Sequence, residues 1–215
     1  MTLVELVITG TVALVLASAV GVLLDGGNRA WLHTYDAVHS RREEDARAIV
    51  AAFGGVGRRS NRASYVLYHS DHGVFTPVLP DPSRPQSVVA GDAVEFRYWD
   101  VELDQSDSHN VMDTGRTATV YALFYLEAGQ IRVDQGAYPP GAVPAGGGSR
   151  NSAGVSTTVL AENVTVDARL GPFSHTTSAG VGQGCVRLNL ILTDPTSGTA
   201  TRVTAATLMR NIWPR

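Results

Sequence analysis

The sequence predicts an α+β fold in which a long N-terminal helix, hydrophobic in its first half and amphipathic in its second, packs on a β-rich globular head. Three observations predict it. Residues 2–24 form an apolar run with a single charge, Glu5. Apolar residues then recur at helical spacing as far as Phe53. From about Ser60 onward, short alternating segments are separated by Gly- and Pro-rich stretches, the pattern of strands and turns. The division that follows is 1–27 for the hydrophobic helix, 28–55 for the amphipathic helix and 56–215 for the head.

The first element reads TLVELVITGTVALVLASAVGVLL from Thr2 to Leu24. A bilayer-crossing helix needs about 20 apolar residues, so the run is long enough. A secretory signal peptide would show a basic stretch, a shorter apolar core and a small-residue cleavage site. No Lys or Arg precedes the run. The expectation is a chain that enters a membrane directly, or one from which a preceding piece has been removed.

The run closes at Asp25-Gly26-Gly27-Asn28. Each glycine weakens a helix by about 1 kcal/mol relative to alanine, which makes Gly26 and Gly27 the expected helix joint. Trp31, Tyr35, Val38, Ala46, Ile49 and Phe53 then mark one apolar helical face, interrupted by Arg42. Arg41, Glu43, Glu44 and Arg47 lie on the other. Gly54, Gly55 and Gly57 are expected to stop the helix. Residues 1–53 thus read as one helix, or as two with a weak joint. A continuous one would be roughly 80 Å long at its standard rise.

In the head, Ala63–Tyr68, Val94–Trp99, Ala118–Leu126, Ile131–Val133, Val164–Leu170, Val186–Leu192 and Thr201–Leu208 read as strands. Glu127-Ala128-Gly129-Gln130 reads as a hairpin turn, and Asp194–Gly198 as a second. Pro77, Pro80, Pro82 and Pro85 mark a loop, Glu102–Asp113 a polar one, and Gly136–Gly154 a flexible one centred on Gly146-Gly147-Gly148. No repeat of fixed period is present.

Composition bounds the function. The chain has 215 residues, enough for one sizeable domain and an extra element. With 44% hydrophobic and 17% charged residues it is not disordered by composition. A net charge of -3 supplies no basic field for nucleic acid. The single cysteine, Cys185, excludes an internal disulfide.

Met1-Thr2-Leu3-Val4-Glu5-Leu6 resembles the mature N-terminus of type IV pilins and pseudopilins. It differs in having Met1 where phenylalanine is usual, and no proline stands near Val22, where many major pilins have one. The resemblance implies processing by a prepilin peptidase and N-methylation at Met1. It implies residence in the inner membrane, then assembly with other pilin subunits into an extracellular or periplasmic filament. It also implies that the carboxylate of Glu5 meets the Met1 amine of a neighbouring subunit, with the Thr2 hydroxyl close by. The hairpin Val120–Leu126 with Gly129–Arg132, and the late strand ending Leu208–Asn211, are similar to larger minor pilins and to the J class of type II secretion pseudopilins. The alternative from a different class is a membrane-tethered binding module, in which the same helix is only an anchor.

The remaining motifs weigh toward ordinary readings. His69-Ser70-Asp71-His72 has metal-ligand residue types, but two histidines three apart are more often a solvated loop. Glu102, Asp104, Asp107 and Asp113 do not fit EF-hand spacing. Gly180–Gly184 precedes a strand and not a helix, so the phosphate-loop argument fails. Cys185 reads as a buried, inert thiol. Asn163-Val164-Thr165 matches a glycosylation acceptor, a pattern common by chance. No nucleophile elbow is present. The sequence therefore points to no catalytic residue, no metal and no cofactor.

Overall fold

The computed structural model describes residues 11, 18–21, 23, 26–27, 29, 42–60, 65–78, 88–99, 118–167, 171–176, 185–195 and 197–208. It divides into two units, Met1–Glu44 and Asp45–Arg215. In the first unit every described residue is helical, including Gly26 and Gly27, both exposed.

The second unit is dominated by strands. A seven-stranded antiparallel sheet has the order β7-β2-β1-β4-β5-β6-β8. Its strands are β1 (Val66–Asp71), β2 (Val74–Pro77), β4 (Ala93–Tyr98), β5 (Val120–Glu127), β6 (Gln130–Ala137), β7 (Gly148–Ser149) and β8 (Ser156–Ala161). A five-stranded sheet has the order β12-β11-β10-β3, with β9 beside β11. It contains β3 (Val88–Gly91), β9 (Val164–Thr165), β10 (Phe173–Thr176), β11 (Cys185–Thr193) and β12 (Ala200–Leu208).

Helical backbone also runs over residues 42–59, here α1. Its Ile49, Phe53 and Val56 belong to one core with side chains of both sheets. Phe53 is the hub. Its ring lies edge-on, 5.5 Å from both Phe96 of β4 and Phe124 of β5, and is stacked 6.2 Å from Phe173 of β10. Aromatic pairs of this kind contribute about 0.5–1.5 kcal/mol beyond their buried area.

The expected α+β architecture, a long N-terminal helix packed on a head, is overturned. Among the described residues 50% are strand and 21% helix, in two curled sheets and two helices. No described helix is long and apolar enough to cross a membrane. The physical reason lies in the period of the buried side chains. Ala93–Tyr98, Val120–Tyr125 and Val186–Leu192 supply most of the core from strands, whereas α1 supplies three buried side chains. The half of the expected helical face made by Trp31, Tyr35 and Val38 lies outside the described residues.

Local boundaries moved for similar reasons. Helix α1 does not stop at Gly54 but continues to residue 59. Burial of Val56 and Gly57 outweighs the glycine propensity cost of about 1 kcal/mol each. A Cβ on Gly57 would overlap Thr207 of β12, so the missing side chain is what lets helix and sheet approach. Strand β9 covers only Val164–Thr165 of the longer strand expected there.

Candidate functional site

The N-terminal residues singled out by the sequence, Met1, Thr2 and Glu5, lie outside the described residues, as do the acidic loop Glu102–Asp113 and Gly180–Gly184. His69 sits 3.3 Å from Asp92, and His72 lies 3.6 Å from Asp71, both in exposed surroundings. Among the described residues no group of three His, Cys, Asp or Glu side chains is placed to hold a metal ion. Cys185, expected buried, is half-buried where β11 begins opposite Leu208. Asn163 occupies an exposed turn in the left-handed region, at φ 55°.

The structure assembles a different site, on the face of the seven-stranded sheet that points away from α1. Side chains alternate across a strand, so Val94 and Phe96 face α1 while Ala93, Glu95 and Arg97 face outward. Tyr121, Leu123 and Tyr125 of β5 also face outward. The segment 138–155 lies over them as a strap, its Ala142 and Val143 packed against Tyr68, Phe75 and the β5 tyrosines. The loop expected over Gly136–Gly154 lies across this face as a cover. It is tied to β2 through β7, and the amide of Asn151 donates to the carbonyl of Ala142 at 2.8 Å.

Two buried carboxylates organise this face. Glu95 accepts from the Tyr68 hydroxyl at 2.8 Å and from Arg97 Nε at 2.6 Å. Arg97 also donates to the Tyr138 hydroxyl at 3.2 Å and lies over that ring, 4.6 Å from its centroid. Asp134 of β6 accepts from Arg150 at 2.6 Å, from Thr157 at 2.7 Å and from the Tyr125 hydroxyl at 3.2 Å. Arg150 covers the Tyr125 ring at 4.7 Å and reaches within 3.8 Å of Glu127. Each carboxylate is completely buried yet supplied with a cationic partner and hydroxyl donors, which meets its desolvation cost. Tyr138 and Arg150 belong to the strap, so both clusters fasten it to the sheet.

The electrostatics agree with this fastening role. Burial lowers the proton affinity of Arg97 and Arg150, but the hydrogen bonds and charges of Glu95 and Asp134 outweigh it and hold both above the usual arginine value. Burial pushes Tyr125 up to about 12, with Asp134 adding to the rise and Arg150 opposing it. Tyr121 is pushed up to about 12 by the same causes in the same order, with Glu95 contributing further. Both carboxylates are already engaged by donors, so the arrangement suits recognition and cohesion better than proton transfer.

Beside Arg150 a cleft of ≈ 390 Å³ opens between the β1–β2 turn and the end of β5. Ser70, Phe75, Tyr125, Glu127, Ser149 and Arg150 line it. A small polar molecule would meet hydroxyls, one carboxylate and one guanidinium there. The sequence held one sign of this face. VYALFYL in β5 is apolar without a break, which is how a strand covered on both sides reads. No local pattern linked Glu95 to Arg97 and Tyr68, or Asp134 to Arg150.

Comparison with models of known families, with curated proteins and with solved structures gives no match to this chain.

Proposed function

We propose that the chain is a structural subunit of a pilus-like or pseudopilus filament, assembled through its N-terminal apolar segment, and not an enzyme. The observation that carries this reading is Glu5, the one charge in the run from Thr2 to Leu24. An ionisable group in such a segment is costly unless it is given a partner. A cationic group on a neighbouring copy supplies one. The pair then sets register, because apolar surfaces slide past one another with little preference whereas a single charge pair penalises every wrong offset. The partners are other pilin subunits and a prepilin peptidase. The route runs from the inner membrane to an extracellular or periplasmic filament. The sheet around β5, packed on both faces, is well suited to a head that must stay folded outside the cell without a disulfide.

The cleft beside Arg150 favours a second reading, a membrane-tethered binding module. One variant separates the two. Glu5→Ala, expressed without wild-type subunits, is expected to accumulate in the membrane fraction at normal level and to be strongly depleted from sheared filaments. Undiminished filament yield would remove Glu5 as the assembly determinant and leave the tethered module as the better account.

A further inference from the structure

An edge strand exposes unpaired backbone groups, and folded proteins guard such edges with shortness, proline, charge or a bulge. The two sheets have five edge strands among the described residues: β7, β8, β9, β12 and β3. Strands β7 and β9 are two residues long and β3 is four. Strand β12 is long but carries Arg202, which reaches Asp167 at 3.2 Å. Strand β8 has none of these guards over most of its length. It reads Ser156-Thr157-Thr158-Val159-Leu160-Ala161, uncharged and rich in β-branched residues. Ser156, Thr157, Thr158 and Val159 are all exposed, so this stretch is open on both faces of the sheet. Only at its far end does the register shift beside Ile131 and Arg132, placing a bulge at Leu160.

We infer that the edge of β8 is a pairing site for β8 of a second copy of this chain, joined antiparallel about a two-fold axis. Charge selects both occupant and direction. The strand carries no charge to repel its copy. Glu162 stands just beyond its C-terminal end, held at 2.9 Å by Gln130. Arg150 lies near its N-terminal half, because Arg150 and Thr157 share Asp134. Antiparallel pairing brings Glu162 of each copy toward the Arg150 end of the other. Parallel pairing would set the two Glu162 carboxylates side by side. The pleat restricts the register, since residues directly opposite must face the same side of a continuous sheet. Two identical strands therefore pair only residues of like parity, and centring on Thr158 sets Thr157 opposite Val159. Opposed β-branched pairs of this kind are favourable in sheets.

The test is position-specific cross-linking of the full chain in a Cys185→Ser background with a short thiol-reactive cross-linker. Thr158→Cys is expected to give a covalent homodimer well above the level from Thr204→Cys, another exposed position, on β12. Adding Val159→Lys, which charges the edge of both copies, is expected to lower the dimer yield about five-fold. The inference is independent of filament assembly, so the same yields are expected when Glu5→Ala is included. Equal dimer from Thr158→Cys and Thr204→Cys, no dimer from Thr158→Cys, or a yield indifferent to Val159→Lys would each overturn it.

Discussion

His175 shows what burial does to a single titratable group. Its Nδ1 lies 2.5 Å from the Tyr65 hydroxyl, while its Nε2 is buried without a partner. Protonation would place a charge in this buried site, and burial accordingly holds the imidazole below its ordinary value. The unfolded chain then binds this proton more readily than the folded one. Stability is full above the ordinary histidine value of about 6.5 and declines as pH falls below it. The unfolding midpoint is expected to drop between about pH 7 and pH 5, and His175→Gln is expected to flatten that part of the profile. An unchanged profile in the variant would show that His175 is not the group responsible. Nothing local in the sequence marked this residue. Its partner Tyr65 is 110 positions away, just before β1 of the other sheet, so only the packed fold brings the two together.

At the scale of elements, local signals were legible where they were complete within a few residues. Ala128 and Gly129 turn between β5 and β6 with φ of 49° and 73°, the left-handed pair that a tight hairpin requires. Strands β11 and β12 likewise close as an antiparallel pair from Cys185 opposite Leu208 to Thr193 opposite Ala200. The end of α1 and the strap over residues 138–155 were not legible, because each depends on a distant surface. Thr207 of β12 leaves no room for a side chain at Gly57, and the strap is held through Tyr138 on Arg97 and Arg150 on Asp134. Two alanine substitutions separate propensity from packing. Gly55→Ala meets nothing within 4 Å and is expected to stabilise the protein by up to about 1 kcal/mol. Gly57→Ala gains the same propensity but must displace Thr207, an overpacking cost of about 1–3 kcal/mol, so the net effect is destabilising. Urea unfolding of the two variants checks this, and a Gly57→Ala protein as stable as Gly55→Ala would contradict the close approach.

For the whole molecule, the sequence overstated the helix. The strong periodicity between Trp31 and Phe53 and the apolar run before it suggested that helix would set the architecture. The described fold is instead built by two sheets that share one core with a single face of α1, with a second small core under the strap. The alternation of β11 and the unbroken apolar run of β5 were present in the sequence. Their consequence, that one sheet is covered on both faces, needed the strand order β1-β4-β5-β6 to become visible. The proposed function does not depend on that correction. It rests on Glu5 in its apolar setting, and filament assembly is the property at stake. Electron microscopy of material sheared from cells that express the full chain together with a pilin-processing and assembly system tests it most directly. The account predicts thin filaments that contain this chain and disappear with Glu5→Ala. Finding the wild-type chain solely as separate particles in the membrane fraction, with no filament in the sheared material, would contradict it.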